Sequence, residues 1–334
     1  MAITANRFRS LVAGGLLAMV CCVALAQERF ASVDRHALAA DKDTERSVDA
    51  LAAYLLKGAR TDEEKARAIF RWMADRVDYD VKGYFSGDLR SVPPDGILNQ
   101  RQAGCDGYAT LFEALGRRMG LEVISVAGYA KGYGHKNTAS FERPNHAWNA
   151  VRIDGRWMWV DATWGAGFVQ EGTYIRKLAE HFFMVEPDRW VLTHLPATTL
   201  PQFDPPLQKA VFENLPNPDI SLLGYRLPGS VLMATLHHPG FDAFVETFDQ
   251  PPRLVEIESV PLHRRLMADT PAVFKLHSEA FEEIMAVTGD KWLRFGSNGH
   301  DFELSLSPPK GPLQIVGRKP GQQEYLPFLA YEVE

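Results

Sequence analysis

Three residues of this chain make a reaction centre when their types and spacing are read together: Cys105, His146 and Asp161. Cys105 follows Gly104 and opens a stretch of helical spacing, so its thiol should stand at a helix N-terminus. Unpaired N–H groups and the helix dipole favour thiolate over thiol there. Gly104 and Gly107 leave room for a substrate or a neighbouring backbone to approach. A thiolate so placed attacks carbonyl carbon, and it needs a base that is itself oriented by a third group.

The base and its partner come from a hairpin. Ala147 to Ile153 and Arg156 to Ala162 alternate as strands and are joined by Asp154-Gly155, the dipeptide of a two-residue turn. If Ile153 faces Arg156, then Trp148 opposes Asp161. Side chains alternate along a strand, so His146 shares the face of Trp148 and becomes a diagonal neighbour of Asp161. A carboxylate beside an imidazole sets its tautomer and stabilises its protonated form. Ordinary structural roles compete with this chemistry: His146 as a hydrogen-bonded strand residue, Asp161 as a cap for the turn into Thr163 and Trp164. Trp157 and Trp159 read as core aromatics either way.

Gly104-Cys105-Asp106-Gly107-Tyr108-Ala109, Asn145-His146-Ala147-Trp148-Asn149-Ala150-Val151 and Trp159-Val160-Asp161-Ala162-Thr163-Trp164-Gly165-Ala166-Gly167 closely resemble the transglutaminase-like superfamily. The match is nearest the kyphoscoliosis peptidase-like branch, including His181-Phe182-Phe183 and Thr193-His194-Leu195-Pro196. It covers roughly residues 45–205. The resemblance implies a papain-like α+β core, with the cysteine on a helix packed against an antiparallel sheet. It also implies Cys105, His146 and Asp161 as the catalytic triad. In that cycle Cys105 attacks a peptide or glutamine amide, His146 protonates the leaving group, and water or an amine resolves the thioester. The Cys105 N–H is the natural oxyanion donor, Gln100 or Gln102 a possible second one, and Trp164 a candidate wall of the acyl site.

The expected function is therefore a cysteine peptidase or amidase acting on a protein or peptide, cell-envelope peptide included. Protein crosslinking by acyl transfer is the alternative with the same triad. A scaffold built on a weakly active domain is the alternative from another class. No cofactor is expected. His237-His238 lacks further ligands at metal spacing, so no metal is expected either. His135 lies in a glycine-rich loop, and Lys131-Gly132-Tyr133-Gly134 suggests a mobile flap beside the cleft.

The elements that must position these residues follow from periodicity. Asp41 to Arg60 has helical spacing. Thr61 and Glu64 form a capping box for a second helix with Ala66, Ile69, Phe70, Met73 and Val77 on one face. Residues 82–100 are rich in glycine and proline and read as an irregular connection. A third helix runs from Cys105 to Met119 with Gly120 beyond it, then a strand from Leu121 to Tyr129 and a loop to Asn145. After Trp164 the pattern is helical or irregular through Pro187. Pro196, Pro201, Pro205 and Pro206 mark a linker. Val231 to Leu236, Leu254 to Ile257 and Phe302 to Leu306 then read as strands of a smaller β-sandwich-like, Ig-like domain. The expected division is a catalytic domain over 27–205 and a β-rich domain over 206–334.

Length and composition suit that picture: 334 residues, 46% hydrophobic and 23% charged, enough for two cores. A net charge of −6 offers no footprint for nucleic acid. Residues 1–26 read as a signal peptide: Arg7 and Arg9, an apolar run from Leu11, and Ala24-Leu25-Ala26 before the cut. The run is short for a membrane span of about 20 residues, and Val20 and Cys21 sit where lipidation of Cys21 or Cys22 would want a small residue. The expectation is a secreted or periplasmic protein without stable membrane insertion after cleavage. Cys21 and Cys22 leave with the signal, so Cys105 is the single thiol of the mature chain.

Overall fold

The computed structural model describes residues 29–133, 135, 140–198, 207–225, 227–236, 241–248 and 255–334. The predicted signal segment with Cys21 and Cys22, His237-His238, and Pro201, Pro205 and Pro206 lie outside the described residues. Helix α1 spans Ala31–Leu38, a 3-10 turn covers Thr44–Arg46, and α2 spans Val48–Lys57. The single helix expected over 41–60 is thus shorter. Ser47 is extended and its hydroxyl accepts the Ala50 N–H, which starts a fresh helix at Val48.

Helix α3, Asp62–Arg76, begins with the predicted capping box: Thr61 accepts from Glu64 N–H and Glu64 from Thr61 N–H, both at 3.2 Å. It buries Ala66, Ile69, Phe70 and Met73. Arg67, on the same helix, is buried too. Its guanidinium donates to Asp34 on α1 and to Glu180, so the charge is compensated from two sides.

Strand β1 is only Asp78–Tyr79. Two short helices, α4 (Val81–Ser86) and α5 (Pro94–Gln100), replace the irregular connection expected here. Asp80 caps the first by accepting from Gly83 N–H, and Pro94 begins the second where its missing N–H costs nothing. Strand β2 (Gln102–Ala103) pairs in parallel with β1 and leads directly into α6, Cys105–Arg118. Helix α6 buries Leu111, Phe112 and Leu115.

Then come β3 (Val123–Ala130), β4 (His146–Ile153) and β5 (Arg156–Val160), followed by α7 (Ala162–Ala166). A small hairpin, β6 (Gly167–Gln170) and β7 (Thr173–Arg176), was not foreseen; α8 (Pro187–Trp190) and β8 (His194–Pro196) complete this part. The main sheet is antiparallel in the order β5-β4-β3-β8. Ile153 pairs with Arg156 and Asn149 with Val160, the register that the Asp154-Gly155 turn predicts. Both turn residues have positive φ, 49° and 80°, as a type I′ turn needs. Asn149 ties the sheet to α6 by donating to Ala109 O at 2.9 Å.

The C-terminal part opens with helices, α9 (Lys209–Asn214) and α10 (Gly229–Leu236). The strand predicted at Val231 to Leu236 is therefore a helix. Its buried residues, Leu232 and Leu236, are four apart, and Pro228 O accepts the first turn's N–H groups. The rest is sheet. Glu256–Ser259, Ala272–His277, Asp301–Leu306 and Gly296–Asn298 form one; Arg265–Leu266, Tyr325–Val333, Gly311–Arg318, Glu283–Thr288 and Lys291–Arg294 form a second, joined by Glu246–Thr247. Ile257 and Phe274 from the first meet Ile284, Ile315 and Phe328 from the second in one buried cluster, as face-to-face sheets do. That cluster continues to Trp148, Trp159 and Trp190 under the main sheet. Among the described residues no helix is long and apolar enough to cross a membrane.

Candidate active site

Helix α6 presents Cys105 in its first turn. Gly104 is extended, and the first helical bond runs from Tyr108 N–H to Gly104 O at 3.0 Å. The amides of that turn therefore lack an intrahelical acceptor beside the thiol. The β1–β2 pair fixes the approach, with Asp80 N–H donating to Ala103 O at 3.0 Å. Cys105 is half-buried and unpaired.

His146 is the first residue of β4. Asn145 grips the Ala130 backbone from both sides, accepting its N–H at 2.8 Å and donating to its carbonyl at 2.9 Å. That clamp sets where β4 starts. The His146 side chain is 7% exposed, with Nε2 2.7 Å from Asp161 Oδ2. Nδ1 is then the ring nitrogen that Asp161 leaves free, and the nearby Cys105 thiol adds to the rise in the imidazole's pKa.

Asp161 is fully buried, and both its oxygens are occupied. Oδ1 accepts the N–H groups of Thr163 at 2.8 Å and Trp164 at 3.0 Å, capping α7. Oδ2 accepts from His146 and, at 3.3 Å, meets Nε2 of His194. Cap or imidazole partner were the two roles open to Asp161; it fills both, one oxygen for each.

Burial opposes a charge on His146, but the Asp161 carboxylate and the Cys105 thiol outweigh it and raise the imidazole well above its ordinary pKa. Burial likewise opposes the Asp161 carboxylate, which its bonds to His146 and His194 hold far below the usual range. His194 goes the other way: burial pushes it down to about 4. It is neutral near pH 7, so Nε2–H faces Asp161 and Nδ1 accepts from the Thr193 hydroxyl at 2.8 Å. Trp190 stacks on His194 at 4.0 Å, and Trp164 packs 4.5 Å from His194 and 5.2 Å from His146. The rings keep water from the ion pair, and a low dielectric strengthens it.

These residues and the sheet that carries them match a known pattern: the model of the transglutaminase-like superfamily matches residues 49–162. Residues 49–162 belong to the transglutaminase-like superfamily. The chain is 37% identical over 171 residues to the kyphoscoliosis peptidase of Homo sapiens, covering 50% of this chain and 26% of that protein. That agrees with the branch the motifs pointed to. Hillarin of Drosophila melanogaster is 30% identical over 206 residues, 56% of this chain and 24% of hillarin. The LIM and transglutaminase domain protein of Caenorhabditis elegans is 29% identical over 201 residues, 56% of this chain and 28% of that protein. The chain spans about a quarter of the length of the curated relatives it matches.

Within the transglutaminase-like domain the other expected residues fall as follows. Gln100 spends its amide on Gln102 O at 2.6 Å, and Gln102 is exposed on β2. Trp164 stands against both imidazoles. His135 stacks on Phe141 at 4.8 Å. Lys131, expected in a mobile flap, is buried and donates its ammonium to Leu215 O. His194 received no role from the sequence; the Thr193-His194-Leu195-Pro196 segment was its only signal. His146, Asp161 and His194 bring ligand-type atoms within 4.8 Å of one another, the one such group among the described residues. A cation there would have to displace the two imidazole contacts that converge on Oδ2.

Proposed function

We propose that the chain is an exported cysteine peptidase or amidase working through a thioester on Cys105. The observation that carries the reading is the buried His146–Asp161 contact at 2.7 Å, with Cys105 opening its helix near enough to act on the imidazole. The Cys105 thiolate attacks the carbonyl carbon of an amide, and the oxyanion accepts from the Cys105 N–H. The C–N bond breaks as imidazolium Nδ1–H protonates the departing amine. His146, now neutral, takes a proton from water as it attacks the thioester; the C–S bond breaks, releasing the acid and restoring the Cys105 thiolate beside the imidazolium. Asp161 keeps the ring oriented and balances its charge throughout. Similarity to a relative that is itself named a peptidase supports hydrolysis over transfer.

Protein or peptide is the substrate class, cell-envelope peptide among them, and export rests on the pattern from Arg7 to Ala26. N-terminal sequencing of the mature protein is expected to begin at Gln27. Alkylation by iodoacetamide at pH 6 tests activation: Cys105 should react faster than a free model thiol, and equal rates would sink the reading. Incubation with casein and a dansylated amine should give fragments without label. Label in the protein would move the assignment to acyl transfer. Full biological activity in a Cys105→Ala variant would leave only the scaffold reading.

A further inference from the structure

A run of exposed and half-buried apolar side chains leads from the neighbourhood of Cys105 to that of His146, and the triad does not use it. It starts at Leu89: a Cβ added to Gly104 would come within 3.1 Å of Leu89 Cδ2, so the leucine lies against the residue before Cys105. Tyr79 pairs with Ala103 across β1 and β2, and burial together with the nearby Cys105 thiol raises its phenol above the ordinary pKa. Tyr84 follows 6.0 Å from Tyr79, Phe85 5.3 Å from Tyr84, and Tyr133 6.0 Å from Phe85. Tyr133 adjoins Gly132, whose missing Cβ would meet the Trp164 ring at 2.9 Å, and Trp164 stands 5.2 Å from His146. The run begins on the thiol's side and ends on the imidazole's side.

Leu89, Tyr84, Phe85 and Tyr133 are 37%, 40%, 54% and 51% exposed. Single exposed apolar residues are ordinary, but a connected group bordering a reactive centre marks a binding surface. Asp88 and Arg90, which flank Leu89, pair with each other at 3.1 Å, so neither presents a lone charge to a ligand.

We propose that Leu89, Tyr84, Phe85 and Tyr133 form the wall that receives the acyl side of the substrate, and that this substrate is a peptide with an aromatic or large aliphatic residue next to the attacked carbonyl. The proposal rests on the thiol-enzyme reading above and names its substrate class. An aromatic side chain laid on such rings is favoured by area and by edge and stacking contacts; alanine loses both, and glutamate also loses its hydration.

The test is a panel of peptidyl acyloxymethyl ketones with Phe, Leu, Ala or Glu before the ketone, the alkylation of Cys105 being followed by intact mass. Phe and Leu should react at least about tenfold faster than Ala and Glu, the range one apolar pocket gives. Phe85→Ser and Tyr133→Ser, checked for folding by thermal melting, should shrink that ratio to below about threefold. Trp292→Ser, which alters an exposed ring in the C-terminal sheet, should keep the full ratio. Equal rates across the panel in the unaltered chain, or an undiminished ratio in both Phe85→Ser and Tyr133→Ser, would overturn the proposal. So would sedimentation showing that the chain self-associates and that Phe85→Ser alone makes it monomeric. If neither iodoacetamide nor any ketone modifies Cys105 faster than a free thiol, the enzyme reading fails first and the substrate class with it.

Discussion

Nε2 of His194 lies 3.3 Å from Oδ2 of Asp161, on the oxygen that His146 engages at 2.7 Å. Both partners of this contact are fully buried, so His194 cannot touch a substrate. Its effect passes through Asp161: one more donor holds the carboxylate ionised and its oxygen aimed at His146. His194→Phe keeps a ring stacked on Trp190 but removes the donor. The variant should melt within a few degrees of the parent, lose about 10- to 100-fold in kcat and leave KM unchanged. His194→Gln, which restores an N–H, should recover most of the loss. A loss of kcat that only tracks unfolding would make His194 a packing residue.

The His146–Asp161 pair also predicts a pH window for stability. The carboxylate's folded pKa is depressed, so its contribution is present above the unfolded value and is lost as pH falls through the folded one. The imidazole's folded pKa is raised, so its contribution is whole below its unfolded value and is lost as pH rises through the folded one. Both are fully present between roughly pH 4 and 6.5. Urea midpoints should decline from about pH 6.5 to 8, below the range in which Lys131 titrates, and His146→Gln should remove that decline. An identical decline in the variant would mean that the pair is not ionised as described.

How much of this site was legible depended on the distance over which each contact is encoded. His146 opens β4 and Asp161, 15 residues on, directly follows the end of β5, the two strands being joined by a two-residue turn. The turn type sets the register, and the register sets which side chains meet. His194 is 33 residues from Asp161 and sits on a three-residue strand, too short for any alternation to show. Only the pairing of Ala130 with His194 on β3 brings it in. The helix at Gly229–Leu236 was misread because a short apolar run fits a strand and a buried helix equally well. Helices α4 and α5 were hidden by glycine and proline, which act there as a stop and a start rather than as breaks.

Arg67 is expected to be a large stability determinant. Its guanidinium, 4% exposed, donates to both oxygens of Asp34 and to Glu180, which joins α1, α3 and the turn preceding Phe182. Removing one partner leaves carboxylates in a site shaped for a cation. Arg67→Met should lower the unfolding free energy by about 3 kcal/mol or more, measured in urea at pH 7. Asp34→Asn should cost less, because Glu180 still pairs the guanidinium. Equal, small losses for both would show that solvent already screens the cluster.

Lys131 offers a test of opposite sign. Its ammonium is buried, bonded to Leu215 O at the end of α9 and set 4.9 Å over the Phe212 ring. Burial pushes it down to about 8, below the unfolded value of about 10.4. Between those values the unfolded chain holds a proton that the native one releases, so this group makes stability rise with pH from 8 to about 10.4. Below pH 8 the native state carries the full cost of keeping the buried group charged. Lys131→Met lacks that rise, so the difference in unfolding free energy between parent and variant should shift in the parent's favour by up to about 3 kcal/mol across the window. His146 titrates alike in both chains and cancels from the difference. A pH-independent difference would mean that the ammonium stays fully hydrated and that Lys131 anchors nothing to α9.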